Sequence, residues 1–456
     1  MRKLFITTTF LLSSFLQIVA QSENTTNAKN NYPDTAWEHY AADNYAGGTG
    51  TEEDPYLIST PEQFMKLVVE IENLAAVDEN WDGEYSKGKY WKQTEDLVFN
   101  ENVLGRTSYD EYDDLSIIDA TGLRTYDGIG YNSGEYDYQR FSGTYDGDGH
   151  SISGIYIKGG ESSTGLFNFV EGGVIKNLVI KDSYFSANAN VGLIVGSADA
   201  TTILNCQTSG VIYCGGSYHA GIAGCITNGS KVLNCVTDAW TWAKNNCAGL
   251  VGTGRNSSII SNCYFGGWLG GVGSNLAKFQ WWGTVCPELG KSEITTTIPD
   301  STPEDPEHVI EICDNPSKAQ NCYWTDTCTV RHKRAGLNWM KAEAYNDADN
   351  CTFGVFENCK PVTLADMAPT VETLNANASG IDGACSWIVG SNGLPALKFD
   401  ATSGISSVTC ADESHSLFNV YSIQGVMVKA GVTETDALNG LSEGVYIVNG
   451  KKHVIK

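Results

Sequence analysis

Apolar positions along most of this chain follow neither the 3.6-residue rhythm of an amphipathic helix nor the sustained alternation of a long strand. They come in short β-rich runs, such as 192–195, 202–207 and 210–213, broken by Gly, Asn and Ser. The runs recur. A small-Gly-apolar element stands at Gly165-Leu166-Phe167, Gly192-Leu193-Ile194, Gly221-Ile222-Ala223 and Gly249-Leu250-Val251, with spacings of 27, 29 and 28 residues. A second element keeps step with it: Ile175-Lys176-Asn177-Leu178, Ile203-Leu204-Asn205-Cys206, Val232-Leu233-Asn234-Cys235 and Ile260-Ser261-Asn262-Cys263 place their Asn 28, 29 and 28 residues apart. Two signals locked to one period predict a solenoid, each copy being one coil. The fold class expected is all-β: a right-handed parallel β-helix.

Within the second element apolar residues fall at n, n+3 and n+5, as in Ile175, Leu178 and Ile180, where one regular strand would keep them two apart. The chain must therefore bend near the Asn, a residue that tolerates the left-handed conformation a tight corner needs. Asn177, Asn205, Asn234 and Asn262 would then stack coil over coil as an amide ladder. Cys206, Cys235 and Cys263 would stack beside them, either as small buried hydrophobes or as metal ligands or rung-to-rung disulfides. Stacked equivalents point the same way and rarely meet disulfide geometry, which favours the hydrophobic reading. Asn262 and Asn321 lie 59 residues apart, about two periods, as if one coil were missing between them.

The Gly-Leu-x-Gly flavour of Gly192-Leu193-Ile194-Val195-Gly196 and Ala248-Gly249-Leu250-Val251-Gly252 resembles the GLUG-motif surface proteins of Bacteroidetes. The stretches 50–58 and 141–150 are similar to the lead-in of those proteins, and Asn321-Cys322-Tyr323-Trp324 and 387–397 to their closing coils. The resemblance implies a β-helix and a surface location, and no reaction. Some proteins with this motif are immunoglobulin-cleaving metallopeptidases, but this chain has no His-Glu-x-x-His, and that activity is not carried over. Residues 417–425 and 441–448 resemble the C-terminal sorting domain of type IX secretion, which implies a small β-sandwich that directs export.

The organisation expected is a signal peptide at 1–20, a linker at 21–46, a cap with the first coils at 47–160, the β-helix at 161–400 with an irregular insertion at about 266–320, and a sorting-like β-domain at 405–456. Arg2 and Lys3 precede an uncharged apolar run from 4 to 20, the signature of a leader cleaved after Ala20. No other run is long enough to span a bilayer. One helix is expected in the cap, where Thr60, Pro61 and Gln63 give a start signal and Phe64, Leu67, Val68, Ile71 and Leu74 one apolar stripe.

Charge narrows the partners. The chain carries 29 basic and 54 acidic side chains, a net charge of −25, which excludes nucleic acid and disfavours anionic membrane surfaces. Chemistry is sparse: no Gly-x-Ser-x-Gly elbow, P-loop or close Cys-x-x-Cys pair is present. No catalytic residue and no metal ligand is assigned, and no cofactor is expected, calcium at Asp110 to Asp114 or at Asp146-Gly147-Asp148 being the alternative to solvated turns. His150 is read as structural, and Asp182, Asp199 and Asp238 sit at unrelated repeat positions. The feature that points to a ligand is aromatic. Trp240, Trp242, Trp268, Trp281 and Trp282 crowd together, and Trp faces stack on sugar rings, although the same rings could fill the core. The reading is a secreted or outer-membrane surface module that adheres to an extracellular glycan or to a host or bacterial surface protein without catalysis. The alternatives are a polysaccharide lyase or glycoside hydrolase on a β-helix, and a structural envelope protein.

Overall fold

The computed structural model describes residues 32–77, 85–108, 117–130, 139–243, 247–271, 282–290, 316–326 and 354–399, together with Leu441 and short strands between 295 and 455. Its body is a parallel β-solenoid. Nine parallel strands stack in sequence order in the first sheet, from Tyr56–Ile58 through Val174–Lys176, Thr202–Leu204, Lys231–Leu233 and Ile259–Ser261 to Lys318–Gln320 and Val355–Glu357. A broader second sheet takes up the chain after the corner, as in Val179–Gly192 and Gln207–Cys214, and a third collects Phe167–Glu171, Val195–Asp199, Ala223–Thr227, Val251–Gly254 and Glu288–Leu289. Register follows the sequence period: Val174 pairs Thr202, Thr202 pairs Lys231 and Lys231 pairs Ile259.

The corner explains the irregular apolar spacing. Asn177, Asn205, Asn234, Asn262, Asn321 and Asn358 all hold φ between 52° and 55°, a left-handed residue that turns the chain once per coil. On either side of it Ile175, Leu178 and Ile180 are fully buried, and so are Ile203, Cys206 and Thr208 in the next coil. Inward columns such as Ile175, Ile203, Val232, Ile260 and Ala319 form one continuous core, each larger aliphatic contributing about 1.5–3 kcal/mol by leaving water.

Asn262 and Asn321 are not separated by a missing coil. Ile259 pairs Lys318 and Tyr264 pairs Tyr323 directly, so these are neighbouring rungs. Between them the chain follows the coil through Trp268–Gly271, Trp282–Gly283 and Glu288–Leu289, and then leaves it, the strands Thr295–Thr297 and Val309–Glu311 pairing antiparallel. A spacing of two periods arose from one coil plus an excursion.

Helix α1 (Pro61–Val77) caps the first coils. Phe64, Leu67, Val68 and Ile71 are buried as its stripe requires, and Met65 and Val69 are fully buried too, because the lead-in segment around Trp37 covers the other side. The Thr60 hydroxyl accepts from the Gln63 N–H at 3.3 Å, and the Gln63 carboxamide oxygen accepts from the Ser59 N–H at 2.8 Å, one residue earlier than a standard capping box.

The stretch after the last coil departs from the sequence reading. Residues 387–397 are not a closing coil: helix α2 (Met367–Ala378) is followed by an antiparallel hairpin of Ser386–Val389 and Pro395–Lys398. This strap folds back along the corner of the solenoid, where Met367, Val371, Leu374, Trp387 and Leu397 cover the outward side chains of Val236, Tyr264 and Tyr323. Farther along the chain, Phe418–Ser422, Met427–Val432, Gly444–Val448 and Lys451–Ile455 form a four-stranded antiparallel sheet. No helix among the described residues is long and apolar enough to cross a membrane.

Candidate functional site

The second sheet places the Trp residues. Val211 pairs Trp240 and Trp240 pairs Trp268, while Tyr213 pairs Trp242 and Trp242 pairs Gly270. Alternation along the strand decides which way they face: Ile212, Thr241 and Leu269 are buried in the solenoid interior, so Trp240, Trp242 and Trp268 lie on the outer flank. Trp240 and Trp268 are partly exposed, with centroids 6.4 Å apart and planes at 66°. Trp242 is only 8% exposed and packs with Tyr184 and Val211. Farther back the flank continues as Tyr156 and Tyr184, closed over by Val103 and Leu123 of the lead-in. Three of the five sequence-predicted rings are thus brought together. Trp281 lies outside the described residues; the Trp282 backbone pairs with Cys247, and its side chain is not described.

A polar group on this flank was not singled out for it by the sequence. Asp238 and Trp240 are partly exposed, while Thr237 and Ala239 are fully buried, so the two share the outer side. Burial pushes the Asp238 carboxyl up to about 6. The signal available was the i, i+2 spacing to Trp240.

The ladders lie elsewhere. Asn205 Nδ2 donates to Asn177 Oδ1 at 2.8 Å, Asn234 to Asn205 at 2.8 Å and Asn262 to Asn234 at 2.7 Å, and the first rung is closed by Asp146, which accepts from Asn177 at 2.9 Å. Asn358 donates to Asn321 at 2.8 Å, whereas Asn262 Oδ1 has no partner among the described residues. Cys206, Cys235 and Cys263 are free and buried, and the Cys206 and Cys235 N–H groups each donate to the next coil's Sγ at 3.4 Å. Among the described residues no cluster of His, Cys, Asp or Glu is arranged to hold a metal.

The acids considered for chemistry are engaged separately. Asp182 accepts from the Val103 and Leu104 N–H groups, and Asp199 from Asn228 at 2.8 Å. Asp146 pairs with Lys176 and Asp148 with Lys92. His150 is buried beside Asp96. Asp110 to Asp114 lie outside the described residues. A separate carboxyl group sits under the cap: Glu38 Oε1 accepts from the Asp127 N–H at 3.0 Å while its Oε2 has no partner, and Tyr32 donates to Glu72. Burial pushes Glu38 up to about 7 and Glu72 to about 8.

No protein-family model matches the chain. It is 33% identical to halomucin of Haloquadratum walsbyi over 78 residues, which is 17% of this chain and spans 1% of that protein. Among solved structures it is similar to a Bacteroides ovatus protein described as a candidate immunoglobulin A1 protease, at 17% identity with a TM-score of 0.45, over 78% of this chain and 95% of that one.

Proposed function

We propose that this chain is an exported surface or secreted β-solenoid that binds an extracellular glycan through the outer flank of its second sheet and performs no catalysis. The observation that carries this reading is the registered pair Trp240 and Trp268, partly exposed on the outside of a rigid sheet. Aromatic rings held in this way offer flat apolar faces to the C–H side of a pyranose at little entropic cost. Asp238, two residues before Trp240 and partly exposed, would add an acceptor for hydroxyl groups. The engagement of Asp182 with backbone amides and of Asp199 with Asn228 supports a binding role over hydrolysis, which needs two free carboxyls facing one bond.

The test is binding of the purified protein to a broad glycan array beside a Trp240→Ala/Trp268→Ala variant. Selective binding that the folded variant loses is the expected result. A wild-type protein that retains no glycan of any class would overturn the reading.

A further inference from the structure

We propose that the ligand of this flank is an acidic polysaccharide, with a sugar ring on the exposed part of Trp268 and a carboxylate or sulfate group drawn to the next rung, at the positions of Arg331 and Lys341. This rests on the glycan reading above and names the ligand class.

Charge along the chain is uneven. Residues 327–342 hold Arg331, Lys333, Arg334 and Lys341 together with His332, and no Asp or Glu, in a chain whose net charge is −25. A positive stretch of this kind runs against the average of the whole molecule, and the fold brings part of it to the aromatic flank.

The strand that follows Trp268–Gly271 in the second sheet is Thr329–His332, with Val330 paired to Leu269, Arg331 to Gly270 and His332 to Gly271. Leu269 is buried in the solenoid interior, so alternation gives Val330 an inward position and Arg331 an outward one, in the same column as Trp242 and Gly270. On its other side this strand pairs antiparallel with Met340–Lys341, which sets Lys341 opposite Thr329. Two cationic residues of the positive stretch therefore stand within two strands of Trp268.

Position is enough for the charge argument. Rungs are about 4.8 Å apart and the screening length is about 8 Å at physiological salt, so a group held over Trp268 feels the Arg331 rung and little of the chain's distant negative charge. Asp238 is the acid on this side, and it stands one rung before Trp268, whereas Arg331 stands one rung after. An anionic group that reaches toward the later rung moves away from it. The rings suit the same direction. Trp240 and Trp268 touch edge to face and form one aromatic wall, on which a sugar rests without entering between them. The Trp242 indole lies over Gly270, where a Cβ would meet it at 2.4 Å, so aromatic carbon reaches the strand beside Arg331.

The experiment titrates the purified protein with chondroitin sulfate, polygalacturonate and dextran of matched length, read by calorimetry and Trp fluorescence. The expected result is that one acidic chain binds at least about tenfold more tightly than dextran and is released as salt rises. Which acidic chain binds better identifies the group as sulfate or carboxylate. Arg331→Gln with Lys341→Gln should weaken acidic binding about tenfold while dextran binding and the melting temperature stay unchanged. Arg331→Lys, which keeps the charge, should retain most of the affinity, and Trp268→Ala should weaken every chain that binds. Dextran bound as tightly as both acidic chains, acidic binding indifferent to salt, or wild-type acidic affinity in the folded Arg331→Gln/Lys341→Gln variant would each overturn the inference while leaving glycan binding intact. Acidic binding undiminished in Trp268→Ala would place the anion site elsewhere and overturn it too. Failure of all three chains to bind the wild-type protein would instead sink the reading it rests on.

Discussion

The indole Nε1 of Trp387 donates a 2.6 Å hydrogen bond to Oδ1 of Asn234, a residue 153 positions earlier. The same Asn donates through Nδ2 to the carbonyl of Cys385 at 2.9 Å, and Asn205 and Asn262 donate likewise to the carbonyls of Gly383 and Leu374. The strap is therefore keyed to the ladder rung by rung.

Trp387→Phe keeps most of the ring but removes the donor, and should cost about 1 kcal/mol; Trp387→Ala should cost about 3–5 kcal/mol because a 2% exposed side chain is emptied. Urea unfolding measures both. Amide exchange should show Met367–Ala378 loosened before the inner strands, and equal loss of protection in both would contradict a separable strap.

At Asn234 backbone and side chain can be told apart, since φ is 53° and the amide makes ladder and strap bonds. Asn234→Gly removes the bonds but relieves the conformation, whereas Asn234→Ala removes the bonds and adds strain of about 1–2 kcal/mol. The expected order of melting temperature is wild type, then Gly, then Ala. An Ala variant more stable than the Gly variant would refute the corner's left-handed requirement.

The cap should weaken as pH rises. Burial holds Glu38 at about 7 and Glu72 at about 8, above the ordinary value of 4.5, so the folded cap binds protons the unfolded chain has released. Their contribution is complete below pH 4.5 and falls progressively until about pH 8. Melting at pH 5 and pH 9 should show the drop, and Glu38→Gln with Glu72→Gln should flatten it. An unchanged slope in the double variant would assign it to other groups.

Thiols of the inner ladder should be inert. Cys206, Cys235 and Cys263 are fully buried in the coil interior, out of reach of a reagent in the folded protein, and burial pushes the Cys235 thiol well up. Peptide-level mass spectrometry after iodoacetamide should find Cys206, Cys235 and Cys263 unlabelled in the native protein and labelled in denaturant. Rapid native labelling would contradict their enclosure.

The solenoid was legible because its determinants are local and periodic. One Asn in the left-handed region per coil, with apolar residues at fixed offsets, writes the stacking into the spacing itself. Trp240 and Trp268 sit one period apart and could be paired from the text alone. The strap could not, since α2 carries Pro369, Asn375 and Asn377 and buries its apolar side against Val236 and Tyr264, more than a hundred residues upstream. The missing coil was an error of arithmetic on spacing: a loop excursion adds residues without adding a rung.

The strap also sets where the chain leaves the rod. Its last described residue, Phe399, packs on Gly149, next to a strand near the start of the stack, although Val355–Glu357 forms the far end. The strap thus crosses from the last rungs back to the first, a splint that lets late coils open only if the contacts at the early end give way as well.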